Sequence, residues 1–408
     1  MTPDSEEETS VQKVIAQVKK TVASVAPSSQ VVVHGSRYTK LASPLSDIDF
    51  VLSIPEYENN PLERGPTSAR RQAMRAAKRL LWKIYRAVKP IAQAGSVEFI
   101  RARIPIVAAV DKVTGLSLHF SALAPYLPAR EYAMLYLSEF SSLRPLYVLL
   151  HHFLLIRQMT TVYQGGLGSY PLLIMIVTAL KHAGTTFGDN ELARQLLYVL
   201  DFWSHADLQN YGYSADPPRV FKKFVDNEKL TPQERAERST DPVLKGIDFL
   251  RKPRRDNPNP MCLQDPATPT NNLGKAASKI EQVQAVFSYA YRELAKSIRR
   301  FENITRTKPD IAGTYTFLDP LVRARYDDFE IRRKAVREAS KITRVFHQLD
   351  ITPAEADQPQ SQEAALTSTV EDEDSSSQHV RTPDRFRPSS GAEAGYRRLS
   401  VGELGHGD

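Results

Sequence analysis

Two carboxylates one residue apart, Asp47 and Asp49, follow the pair Gly35-Ser36 by eleven and thirteen positions counted from the serine. The β-branched run Val31-Val32-Val33 just ahead reads as a short buried strand. The glycine after it lets the backbone turn tightly and approach a phosphate. With Asp47–Leu52 as a strand, side chains alternate, so Asp47 and Asp49 share one face while Ile48 and Phe50 enter the core. Hard oxygen ligands beside a Gly-Ser turn suit metal-dependent phosphoryl transfer, because divalent ions held there neutralise a triphosphate. Taken alone, the same residues also suit a plain hairpin with solvated aspartates.

Gly35-Ser36, Thr39, Leu41, Pro44 and Ser46-Asp47-Ile48-Asp49, in that order, resemble the polymerase β-like nucleotidyltransferases. More narrowly they resemble the template-independent RNA tailing enzymes, the TRAMP-type poly(A) polymerases and terminal uridylyltransferases. The resemblance implies that Gly35 and Ser36 contact nucleotide phosphates and that Asp47 and Asp49 bind magnesium or manganese, with ATP as the nucleotide. Lys40 stands where the family usually has glycine.

The same resemblance exposes departures. The family's third metal-binding aspartate lies in the last strand of the sheet, and the matching position is His119 in Leu118-His119-Phe120-Ser121. A neutral imidazole is a poor magnesium ligand and brings no compensating charge, although it can act as a base near pH 7. Leu123 replaces an asparagine that touches the ribose, and Asp111, eight residues before His119, is a poor substitute for the lost carboxylate. In Arg144-Pro145-Leu146, the start of a family helix whose lysine reaches the triphosphate, the lysine's place is taken by His151. Gly165-Gly166-Leu167-Gly168-Ser169-Tyr170 keeps most of a signature in which Ser169 would bond phosphate and Tyr170 would stack on the base. The glycines alone also suit a helix-entry turn. Asp265-Pro266 followed by Asn271-Asn272-Leu273-Gly274-Lys275 resembles the base-recognition motif, with Asn272 for its aspartate and Lys275 for its arginine.

The elements that must position these residues follow from periodicity. An amphipathic helix over 9–25 carries Val11, Val14, Ile15, Val18, Val22 and Val25 on one stripe. A basic helix over 67–89 is expected to bury Ala73, Ala77, Leu80, Leu81, Ile84 and Val88, while Arg71, Arg75, Arg79 and Lys83 form a ridge. That ridge is either a solvated face or a seat for RNA phosphate. Strands are expected over 96–100, 104–110 and 116–121, and helices over 129–139, 144–154, 169–183, 189–204, 280–299 and 321–349. Residues 214–262, rich in charge and proline, read as loops or short helices.

Composition bounds the class. The 408 residues have an ordinary 41% hydrophobic share, and no run reaches the ~18 apolar residues of a spanning helix. One cysteine, Cys262, excludes an intrachain disulfide and a zinc cluster and fits a reducing compartment. Residues 353–408 hold eleven acidic and five basic side chains, net −6, so with a total of +7 the rest of the chain carries +13. A basic body suits a polyanionic partner.

The expected architecture is therefore α+β. A small mixed-sheet nucleotidyltransferase domain (27–128) should pack on a helical poly(A)-polymerase-associated domain (8–26 plus 129–305). A C-terminal helix (321–350) and a disordered tail (353–408) should follow. By resemblance the chain is a template-independent RNA 3′-end nucleotidyltransferase of poly(A) polymerase type, attenuated at His119. The alternative is a silenced relative that binds RNA, nucleotide or a protein. RNA is expected to meet its basic surface, with a helicase or RNA-binding subunit as partner. No membrane is expected, no secretory or transit signal is read at the acidic start, and a nuclear rather than cytoplasmic location is expected.

Overall fold

The computed structural model describes residues 3–54, 67–101, 105–122, 127–184, 187–188, 191–224, 236, 240–251, 261–307 and 315–347. The readings for Leu123 and for the tail from 353 onward lie outside these residues. The fold is α+β, and two hydrophobic cores organise it.

The first core lies on one face of a five-stranded mixed sheet ordered β1-β2-β5-β4-β3. Its strands are β1 (Val31–His34), β2 (Ile48–Leu52), β3 (Glu98–Ile100), β4 (Ile106–Val110) and β5 (Ser117–Ala122). Only β2 and β5 run parallel; the other neighbours are antiparallel. Alternation along β2 and β5 sends Ile48, Phe50, Leu52, Leu118 and Phe120 into the core. Phe50 and Phe120 stack there with ring centroids 5.1 Å apart. Two helices cover that face: α1 (Ser5–Val25) and, after the short helix α2 (Gly35–Tyr38), the basic α3 (Thr67–Ala87). The expected stripe of α3 is buried, with Ala73, Ala77, Leu81 and Ile84 fully enclosed.

The placement of α1 corrects the expectation. Its valines join the sheet core, not the helical one. An apolar stripe requires a partner but does not name it. The N-terminal end of α1 is also held by a late helix, α11 (Asp327–His347), which follows the single turn α10 (Asp319–Val322). Ser10 Oγ donates to Val336 O at 2.6 Å, and fully buried Glu7 accepts from Arg333 at 2.5 Å. Residues 323–326 separate α10 from α11, so the expected continuous helix from 321 is broken.

The second core is helical. It joins α4 (Leu127–Glu139), α5 (Leu143–Leu155), α6 (Ser169–Lys181), α7 (Leu192–His205) and α9 (Ile280–Thr307), the last coming after α8 (Pro242–Leu250). Helix α6 is buried all round from Leu172 to Leu180, as befits a central helix. Trp203 on α7 is 1% exposed and donates from Nε1 to Met175 O at 2.9 Å. The stretch expected as loops or short helices also holds a hairpin, β6 (Tyr211–Ala215) and β7 (Pro218–Lys222). Tyr213 then exchanges backbone hydrogen bonds with Cys262 O and Gln264 N.

Candidate active site

Register sets the centre of the site. Asp49 on β2 lies opposite His119 on β5 and opposite His34 on β1, so the three share the sheet face turned away from the core. His119 Nδ1 is 3.3 Å from Asp49 Oδ1 and 3.7 Å from Asp47 Oδ2. The hydrogen bond to Asp49 leads the interactions that raise the His119 pKa, against the desolvation that lowers it. A positive ring beside two carboxylates is thereby favoured. Asp47 keeps half of its side chain open to solvent, yet desolvation raises its pKa, with His119 acting the other way. Burial likewise lowers the pKa of His34.

Asp111 takes no part. It is buried and its Oδ2 accepts from Val113 N, Thr114 N and Thr114 Oγ1, so its charge is spent on its own turn.

Gly35 is required twice over. Its φ is +65°, and a Cβ there would sit 2.3 Å from Asp49 Oδ2. Ser36 stands in the first turn of α2, directly after the β1 strand. The loop that returns to β2 is held by Arg37, whose Nη2 donates to Pro44 O at 3.1 Å and Ser46 O at 2.7 Å. Lys40 adopts φ +56°, the left-handed region where glycine costs nothing. Arg144 on α5 reaches across to the carbonyls of Thr39 and Lys40. Neither Arg37 nor Arg144 stood out as a site residue in the sequence. The signal available was a basic residue within or facing a loop short of partners for its carbonyls.

A second group of residues belongs to the helical core. Tyr170 donates to Asp265 Oδ1 at 3.2 Å, and Asn271 Nδ2 donates to Asp265 Oδ2 at 2.9 Å. Asp265 is thus the hub of the expected base-recognition residues, although sequence reasoning quoted it only as part of a dipeptide. Desolvation raises its pKa, and the Asn271, Ala267 and Tyr170 hydrogen bonds oppose that. The pKa of Tyr170 is pushed up, first by burial and then by the Asp265 charge. The side chain of Asn272 serves its own loop: Oδ1 accepts from Leu263 N and Gly274 N, while Nδ2 donates to Met261 O. An aspartate could not make that last bond.

His151 stacks on Tyr147 with centroids 5.4 Å apart, and burial, helped by His152, lowers its pKa to about 4. It is a neutral ring near pH 7. Ser169 hydrogen-bonds the Tyr147 hydroxyl. Gly165 turns at φ +80°, and a Cβ on Gly166 would meet Met159 O at 2.6 Å. The two glycines build the entry to α6. The structure thus brings Gly35, Asp47, Asp49 and His119 into one group and Tyr170, Asp265 and Asn271 into another, with Arg144 joining α5 to the loop behind Ser36.

The donor set can be tested for metal. Two carboxylates offer hard oxygens suited to a magnesium or manganese ion also held by nucleotide phosphates, whereas the His119 nitrogen does not complete a hard third ligand. Among the described residues no three His, Cys, Asp or Glu side chains are disposed to hold an ion together.

Residues 1–123 match the family model of the poly(A) RNA polymerase, mitochondrial-like, central palm domain. The chain is 24% identical over 339 residues to the poly(A) RNA polymerase cid14 of Schizosaccharomyces pombe, covering 79% of this chain and 44% of that protein. It is 25% identical over 293 residues to the inactive non-canonical poly(A) RNA polymerase protein Trf4-2 of Drosophila melanogaster, covering 70% of this chain and 63% of that one. The chain thus spans about half to two-thirds of the length of these curated relatives. In fold it is similar to the polymerase core of TRAMP, an RNA surveillance complex, with a TM-score of 0.56 and 20% identity over 82% of this chain and 89% of that one. It is also similar to a Cid1 poly(U) polymerase bound to MgATP, with a TM-score of 0.54 and 15% identity over 79% of this chain and 95% of that one. Residues 1–123 thus match the palm-domain family model, and over most of its length the chain is similar to poly(A) RNA polymerases in sequence and to the TRAMP and Cid1 polymerase cores in fold.

Proposed function

We propose that the protein is a template-independent RNA 3′-end nucleotidyltransferase of poly(A) polymerase type whose transfer step is attenuated by His119. The observation that carries this reading is the imidazole of His119, set between Asp49 and Asp47 at 3.3 and 3.7 Å. Asp47 and Asp49 would hold the divalent ion, and the ion would neutralise the triphosphate of ATP. Gly35 and Ser36 approach the phosphates, and Tyr170 presents its face to the base with Asp265 and Asn271 fixing its hydroxyl end. His119 accepts the proton of the attacking 3′-hydroxyl when neutral. The ion pair with Asp49 favours the protonated ring, which cannot accept it. His151, neutral and stacked, brings no charge to the triphosphate.

The second reading is a silenced relative that still docks nucleotide or RNA. The same ring favours it, since a cation already between the carboxylates competes with a metal ion. One experiment separates the two: primer extension with each nucleoside triphosphate, in magnesium and in manganese. Wild type, His119→Asp and the Asp49→Ala blank are compared. On the attenuated reading wild type extends slowly and His119→Asp raises the rate by about 10²-fold or more, the usual worth of a positioned base. Robust extension by wild type that His119→Asp abolishes would make the histidine a working residue. Extension by neither, with nucleotide still bound, would leave the silenced reading.

A further inference from the structure

Helix α3 carries seven Lys or Arg and no Asp or Glu in TSARRQAMRAAKRLLWKIYRA. Arg75, Arg79 and Lys83 follow one another at four-residue steps, so like charges face each other along one ridge. Among the described residues no carboxylate forms an ion pair with Arg75, Lys78, Arg79, Lys83 or Arg101. The ridge beside it holds Lys78 and Trp82. Trp82 is 44% exposed, a large apolar surface left in water. Its indole lies flat on Phe99 of the edge strand β3, with centroids 4.7 Å apart and planes at 12°, and meets the edge of Tyr85 at 5.1 Å. Alternation along β3 puts Phe99 and Arg101 on the α3 side and Glu98 on the other. The result is a groove of about 290 Å³ lined by Lys78, Trp82, Phe99, Arg101 and Pro105. It lies on the opposite face of the sheet from Asp49 and His119 and at the opposite edge from β1.

Cationic side chains interleaved with an open aromatic face match single-stranded nucleic acid: phosphates neutralise the ridge while a base lies against the ring. An acidic polypeptide would satisfy the charges but would bring no planar partner to the part of the Trp82 ring that Phe99 leaves exposed. We infer that this groove is a docking surface for single-stranded RNA. The inference rests on the reading that the chain acts on RNA, and its test is independent of catalysis.

The chain has two tryptophans, and Trp203 is 1% exposed, so the solvent-facing emission reports Trp82. Full-length protein is titrated with a 15-nucleotide oligoadenylate without nucleoside triphosphate. Binding is followed by both tryptophan emission and the anisotropy of labelled RNA, with polyglutamate as the acidic-polymer control. The groove predicts quenching by RNA and none by polyglutamate. Trp82→Ala should weaken binding about tenfold, within the range for one stacked base. Trp82→Phe should recover most of that affinity, which separates stacking from a packing role. Lys78→Ala with Arg101→Ala, both surface changes, should lower the salt slope by about 1.4 for two lost phosphate contacts. RNA bound with Trp82 emission and the salt slope unchanged would overturn the groove and leave the RNA reading standing. No RNA binding at all would overturn both, and polyglutamate bound as tightly as RNA would assign the groove to an acidic protein.

Discussion

Lys40 occupies φ +56° with its carbonyl held by Arg144, a position at which a β-carbon is a burden. The left-handed conformation costs a non-glycine residue about 1–2 kcal/mol, and glycine's extra freedom in the unfolded chain returns about 0.5–1 kcal/mol of that. Lys40→Gly should therefore stabilise the protein by about 0.5 kcal/mol or more, read as a higher denaturant midpoint. A lower midpoint would mean that the lysine side chain contributes contacts worth more than the strain. His151 offers a second test at this scale. Its pKa falls from the ordinary 6.5 to about 4 on folding, chiefly by desolvation. The unfolded state thus binds the extra proton first. Stability is full above about pH 6.5, declines as pH falls toward 4, and levels off below that. The loss is of order 3 kcal/mol. His151→Phe keeps the ring on Tyr147 and should flatten that part of the pH profile; an unchanged slope would assign it to other groups. His151→Lys, which restores the family's residue, sets an ammonium where a cation is already disfavoured. Its benefit should be confined to the KM for nucleotide.

Among the elements, α1 and α11 are tied by charges as well as by apolar packing. Glu7 is fully buried and faces Arg333 at 2.5 Å and Arg337 at 3.1 Å, and Asp4 reaches Arg337 at 2.7 Å. A buried carboxylate stripped of both partners costs about 3–5 kcal/mol. Arg333→Met with Arg337→Met should lower stability by about that much, and adding Glu7→Gln should recover a good part of it. No recovery would place the loss in packing instead. This contact also marks the limit of what the sequence could give. The stripes of α1 and α3 and the alternation of β2 and β5 were legible because each burial pattern is local. Asp47, Asp49 and His119 could be brought together from the motif order and a two-residue period. The partner of α1 was not legible, because Glu7 and Arg333 lie 326 residues apart and either could sit in solvent. The β6–β7 hairpin escaped notice because glycine, serine and two prolines dilute its alternation. Asn272 read as a base-pocket residue from its place in a resembling motif, and only the hydrogen bonds show it spent on its own loop.

For the molecule as a whole, the candidate residues are drawn from both cores. Gly35, Ser36 and the two aspartates come from the sheet side, and Tyr170, Asp265 and Asn271 from the helical side. No helix among the described residues is long and apolar enough to cross a membrane, and the charge outside the acidic C-terminal stretch is +13. A nucleotide that uses both groups should stabilise the folded chain by mass action whether or not transfer follows. At a free concentration a hundred times the dissociation constant, that stabilisation is about 2.7 kcal/mol. For a chain of this size it corresponds to a melting-temperature rise of about 3–4 °C. Thermal melting with ATP and magnesium should show such a rise. Chelation with EDTA or Asp49→Ala should remove its metal-dependent part, and Tyr170→Ala should weaken it from the helical side. This measurement works where extension assays are silent, since a silenced relative that keeps its pocket gives the full shift without product. Four nucleoside triphosphates tested at millimolar concentration with no shift in any would leave Asp47, Asp49 and Tyr170 as remnants of a pocket that no longer binds. Under that outcome the basic face of α3 would be the remaining candidate for an anionic partner.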